Sequence, residues 1–193
     1  MEKKSWQEVF SFKKSSKDYV KTLIICAILT ALGFVLDRFL GLTFPLFGVK
    51  SLSLNFSFIP IIFAGFVYGP LWGALVGVAQ DLISCLLVPL GAFIPGITLT
   101  TALVGLFAGL YAILFRKSYN KLWALVCFSI FITIFSSITN SYWLSLTYSK
   151  ISFWAYVPPR LLASLLISMP LNALILYILM NRAVPILKKS KLI

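Results

Sequence analysis

Residues 68–87 read YGPLWGALVGVAQDLISCLL. Gly69-Pro70 can close one helix and open the next: glycine tolerates the backbone of a helix C-terminus, and a proline in the first helical turn sacrifices no hydrogen bond. Apolar residues dominate on both sides of the break. The stretch therefore predicts a tight hairpin of two membrane spans, 54–69 and 70–90. Asp81 stands inside the second, about 11 residues or ~16 Å from the hairpin, near or just beyond the bilayer midplane.

The rest of the chain has the same character. Its 193 residues are 60% hydrophobic and only 11% charged, with a mean hydropathy of +0.98, far above an ordinary globular domain. A soluble fold of this size still exposes roughly a third of its unfolded-chain surface, which lipid has to cover here. Further candidate spans lie at 20–40, 97–116, 121–147 and 158–182. Pro60, Pro89, Pro95-Gly96 and Pro158-Pro159 mark breaks. The predicted fold class is an all-α membrane protein, six transmembrane helices in a compact bundle with both termini on the cytoplasmic side.

The basic residues set that orientation. Thirteen of the seventeen lysines and arginines fall in the N-terminal arm up to Lys21, the 116–121 connection and the C-terminal tail from Arg182 on, and four (Arg38, Lys50, Lys150 and Arg160) sit near the other ends of the spans. By the positive-inside rule the thirteen face the cytoplasm. The net charge of +12 is thus a consequence of topology and gives no reason to invoke nucleic acid. Three regions follow: a basic amphipathic arm at 1–19, a transmembrane ligand-binding domain at 20–182 and a basic tail at 183–193. The arm lacks a cleavage site and reads as lying on the inner leaflet.

The composition excludes most catalysis. There is no histidine and only five acidic residues, Glu2, Glu8, Asp18, Asp37 and Asp81. Intramembrane metalloproteases need histidine ligands, serine hydrolases need a base, and paired-carboxylate enzymes need two acids in one site. The expectation is no enzyme, no metal and no cofactor. No phosphate-binding loop is present, so uphill transport would need an ATPase partner. Cys26, Cys85 and Cys127 lie in apolar runs at no metal spacing and read as free thiols.

A charged residue inside a membrane must find a partner or a polar cavity. For Asp81 two readings stand: a helix-to-helix hydrogen bond with a Ser, Thr or Asn, or an acid facing a ligand in an outward-opening pocket. Arg160 at the mouth of the sixth span, Arg38 at the end of the first, and Asn140 and Trp143 one turn apart in the fifth would complete such a cup. Gly69, Gly73 and Gly77 repeat every fourth residue, as do Gly105 and Gly109, and predict close helix packing inside the bundle. Ala27 and Ala31 give the first span a similar stripe, suited equally to packing or to a separate membrane subunit.

The stretch FSFIPIIFAGFVYGPLWGALVGVAQDLISCLLVPLGAFIPGITLTTALVGLFAGLY, residues 56–111, closely resembles the substrate-binding S components of energy-coupling factor (ECF) transporters, in their folate-specific branch. The carriers are its FIPI start, the GPLWG hairpin, the Asp-Leu-Ile that follows and the GAFIPGITLT loop. DRFLGL in the first span and PPRLL with MPLNALILYIL in the sixth extend the resemblance more weakly. The run LLASLLISMP after Arg160 departs from it, reading as almost entirely apolar where the folate branch is often polar.

The resemblance implies a multi-pass protein of a prokaryotic cell membrane. It would capture a vitamin from outside and deliver it to a membrane coupling subunit and two ATPases, with Ala27 and Ala31 among the docking contacts. ATP would be used by those partners only. On this reading the substrate is folate, its pterin edge donating to Asp81 and its carboxylates directed to Arg160 and Arg38. Segments 51–55 and 91–96 would form a lid, with Phe93 as the plug. The alternatives are a pantothenate or other small-vitamin S component, or a non-transporting membrane scaffold.

Overall fold

Gly69 has φ +102°, a conformation that glycine alone adopts without strain. Its N–H closes one helix on Gly65 O at 3.0 Å, while Gly73 N–H opens the next on Gly69 O at 3.0 Å. The computed structural model describes residues 16–39, 42–46, 49–54, 56–87, 93–115, 121–147 and 153–189. In chain order these form α1 (Ser16–Phe39), β1 (Leu42–Leu46), β2 (Val49–Leu54), α2 (Phe58–Tyr68), α3 (Pro70–Leu87), α4 (Pro95–Leu114), α5 (Leu122–Thr147), α6 (Phe153–Ala163), one π-helical turn (Ser164–Ser168) and α7 (Met169–Lys189). The π turn joins α6 and α7 into one continuous run, so six helical runs correspond to the six expected spans.

Five of these runs contain a segment long and apolar enough to cross a membrane; α2 is the exception. Its 11 residues rise about 16 Å, half the hydrocarbon thickness. It compensates by burial, with every residue from Ile59 to Phe66 shielded by the other helices. Pro60 falls in its first turn, where no donor is lost.

The most extensive interface is α3 on α4, followed by α2 on α4. Glycine makes it possible. A Cβ at Gly73 would lie 2.5 Å from Gly105 O, and one at Gly65 would lie 2.6 Å from that same oxygen. A Cβ at Gly77 would strike Thr101 O, and one at Gly109 would strike the Pro70 backbone. The glycine stripes are therefore interior packing surfaces, as the four-residue spacing predicts. Below them Phe66, Tyr111 and Phe128 fill the centre with ring centroids 4.8–6.3 Å apart, and Tyr111 Oη donates to Ala124 O at 2.9 Å.

One element escaped the sequence reading. Strands β1 and β2 pair antiparallel, Leu42 opposite Leu54 and Thr43 opposite Ser53, with an irregularity between Phe44 and Leu46. Pro45 sits at that point and cannot donate to the ladder. The hairpin adds to an otherwise helical fold, and β2 packs on α6 and on the π turn. It occupies one end of the bundle, called the hairpin end below; the start of α1 and the end of α7 lie at the opposite, terminal end. Most of the expected arm 1–19, the last residues of the tail and loop residues 88–92 lie outside the described residues.

Candidate functional site

The sixth run carries Arg160, Ser164, Ser168 and Asn172 at four-residue intervals. In a plain α-helix each such step drifts by about 40°, which would scatter four residues around the axis. The π turn over Ser164–Ser168 winds more widely and offsets that drift, so all four reach one cavity. Facing them, α5 contributes Ser129, Thr133, Ser136, Ser137 and Asn140, spaced along one helical face. Phe58 and Ile62 of α2 and Ile132 of α5 supply the apolar wall. The run after Arg160 is thus less apolar in effect than in composition: its two serines both line the cavity.

Within this cavity Asn140 Oδ1 and Ser129 Oγ are buried without hydrogen-bond partners. Buried polar atoms are normally satisfied, so unspent acceptors and hydroxyls beside an arginine are what a site awaiting a polar ligand presents. No salt bridge to Arg160 is found among the described residues. Its free volume is about 50 Å³, against roughly 300–1,000 Å³ for pockets that hold small molecules. The hairpin strand β2 packs on the elements carrying Arg160, Ser164 and Ser168, and the aromatic cluster of Phe66, Tyr111 and Phe128 closes the bundle towards the terminal end.

Of the residues singled out from sequence, Asn140 and Arg160 meet in this cavity. Asp81 is not among its lining residues. Thr98 Oγ1 of α4 donates to Asp81 Oδ2 at 2.6 Å, the helix-to-helix partnership that was the alternative to ligand binding. Asp81 belongs to a second polar group, between α1, α2, α3 and α4. There the Ser57 side chain hydrogen-bonds Asp37, whose carboxylate lies close enough to feel the charge of Asp81. Gln80 Nε2 donates to Ser57 O at 3.1 Å.

The remaining candidates are dispersed. Arg38 is exposed at the end of α1, next to Asp37, and Phe93 is exposed ahead of α4. Trp143 is half-buried, with its ring against Gly96 at the start of α4, where a Cβ would collide with the indole. It pins α5 to α4 instead of walling the cavity. The serines and Asn172 were missed. Their signal was present as a four-residue polar spacing inside apolar spans, but Ser and Thr are common helix glue in membranes and the spacing alone does not say where they point.

Among the described residues no group of three His, Cys, Asp or Glu could hold a metal, and Cys26, Cys85 and Cys127 are free. Fold and cavity together define a small multi-pass helical membrane protein with a polar, arginine-bearing pocket beside a hairpin, the architecture of a binding protein for a polar solute.

The chain belongs to the family of ECF transporter substrate-specific components, whose family model matches residues 21–180. This is a family of transporter subunits, not of enzymes. Two curated relatives are each called Folate transporter FolT. One, from Clostridium novyi, is 30% identical over 159 residues, covering 82% of this chain and 87% of the relative. The other, from Leuconostoc mesenteroides, is 30% identical over 170 residues, covering 85% and 86%. Among solved structures, FolT bound with folic acid superposes with a TM-score of 0.68 at 27% identity, covering 84% of this chain and 93% of that one. The S component of a bacterial ECF transporter does so at 0.66 and 25%, covering 88% and 99%.

Proposed function

We propose that this protein is the folate-capturing subunit of an ECF importer, which binds the vitamin and passes it to a membrane coupling subunit driven by two ATPases. The observation that carries the reading is the cavity built from Arg160, Asn140, Asn172 and two facing hydroxyl stripes. Its chemistry suits folate: the guanidinium pairs with a glutamate carboxylate as a planar fork, and the amides and hydroxyls serve both donors and acceptors of a pterin edge. The relatives named folate transporters align over more than four-fifths of the chain, which favours folate over other small vitamins.

Two features bear on mechanism. A cavity of about 50 Å³ is too small for folate, so admission of ligand parts the hairpin and α6 from α5. The aromatic cluster bars a straight path to the terminal end, so release there requires the subunit to reorient or its helices to separate, a step for which the coupling subunit supplies the energy. Asp81 and Thr98 hold α3 to α4 away from the cavity lining. Ala27 and Ala31 are exposed on α1 and form the face on which a coupling helix seats.

The test is the ultraviolet spectrum of protein extracted in mild detergent, followed by folate titration. A pterin absorbance and saturable folate binding are expected. Another vitamin found by mass spectrometry of the denatured sample, with no folate binding, would replace folate by that compound.

A further inference from the structure

On the side of the bundle away from the Arg160 cavity, α1 and α7 stand apart like two walls on either side of the short α2. The groove between them has a volume of about 640 Å³ and is lined by aliphatic and aromatic side chains, including Ile25, Leu29 and Leu36 of α1, Phe63 of α2, and Leu179 and Ile186 of α7. Voids between packed helices rarely exceed a water molecule. A trough of this size, open to hydrocarbon, is filled by something apolar.

The walls indicate what fills it. Helices that approach closely in membranes do so over small residues, but here the surface is made of branched and aromatic side chains, Pro60 and Ala183 apart. The small residues of α1, Ala27 and Ala31, project on the other side of that helix, as 100° per residue requires. Ragged apolar walls of this kind suit flexible chains. Each wall carries an exposed cation on the same helical face: Lys21, one turn beyond Ile25 towards the terminal end, and Arg182, between Leu179 and Ile186 in the terminal-end part of α7. Among the described residues neither has a carboxylate partner. The bias of lysine and arginine predicts that this end faces the cytoplasm, where anionic lipid headgroups attract such residues.

We propose that the groove seats one anionic phospholipid of the cytoplasmic leaflet, its acyl chains between α1 and α7 over Phe63 and its phosphate held by Lys21 and Arg182. The proposal concerns a face remote from the vitamin cavity and stands whether or not the vitamin is folate. A bound lipid there would replace the packing that α2, too short to span, leaves open between its neighbours.

The experiment uses the full chain, delipidated in detergent and then offered phosphatidylglycerol or phosphatidylcholine, with native mass spectrometry counting retained lipids. One phosphatidylglycerol is expected, held at least tenfold more tightly than phosphatidylcholine. The K21Q/R182Q double variant, altered only at exposed positions, should lose that preference and keep folate affinity. L29W/L179W should expel the lipid by filling the trough; should that variant fail to fold, the charge variant decides alone. Equal retention of both lipids, or a preference that survives K21Q/R182Q, overturns the proposal. So does a disulfide cross-link between a cysteine placed at position 179 and the coupling subunit, which would put a protein helix in the groove.

Discussion

Thr98 Oγ1 and Asp81 Oδ2, on adjacent helices, are joined by a 2.6 Å hydrogen bond, and this bond accounts for a carboxylate in an otherwise apolar span. Removing the donor strands the acid. T98V is expected to destabilise the protein by up to ~1–3 kcal/mol, the cost of an unsatisfied acceptor, with the half-buried setting of Asp81 favouring the lower end, while changing folate affinity by only a few-fold. D81N should cost less, because its amide oxygen still accepts from Thr98. Thermal unfolding alongside folate titration checks both; a large loss of affinity in T98V at unchanged stability would show that Asp81 contacts the ligand.

Arg160 is expected to dominate binding. A carboxylate that loses its buried guanidinium partner forfeits ~2–5 kcal/mol, or roughly 30-fold to several thousand-fold in affinity. R160Q should show that loss with the fold retained, and R160K should recover part of it, since lysine restores charge without the planar fork. Titration calorimetry of the purified subunit reads the difference.

Gly105 faces the Gly73 backbone closely enough that an added Cβ would collide with its carbonyl. Backbone cannot yield as a side-chain tip can, so G105L should fail to give folded protein, whereas A27L, on an exposed face, should be tolerated. Size-exclusion profiles in detergent distinguish them.

Ala27 and Ala31 separate binding from transport. A27W/A31W should leave folate affinity of the isolated subunit within a few-fold of wild type and abolish uptake in cells that contain the coupling module, because bulk there prevents close helix approach. Loss of folate binding in the isolated variant would assign the stripe to internal packing.

Strand β2 packs on the elements that carry Arg160 and Ser164, so its amides should gain protection when the cavity fills. Hydrogen exchange of residues 49–54 is expected to slow on adding folate and to remain unchanged in R160Q at the same concentration. Exchange that ignores folate would remove the hairpin from the gating role.

What the sequence determined was local or periodic. Apolar run length and the placing of Gly69-Pro70 and Pro95 located the first five helices within about four residues, because membrane spans must satisfy their own backbone and are bounded by residues that break it; the sixth run, expected at 158–182, extends from 153 to 189 and takes Pro158-Pro159 inside its first helix. The four-residue glycine spacing foretold the α3–α4 contact, since a small-residue stripe has one main use between helices. Asn140 and Arg160 were recognised because amides and charges are costly in lipid and stand out singly.

What only the tertiary structure decided depended on long-range company. Asp81 could have met a ligand or a hydroxyl, and the fold brings it the hydroxyl of Thr98, 17 residues away. The serines of the sixth run gained their orientation from a π turn, which no periodicity in the sequence announces. The hairpin at 42–54 was hidden because its strands are short and its pairing is stabilised by packing on α6. The groove beside α2 is made by helices far apart in the chain. In each case the energy resides in which surfaces meet, and single-residue preferences do not encode that.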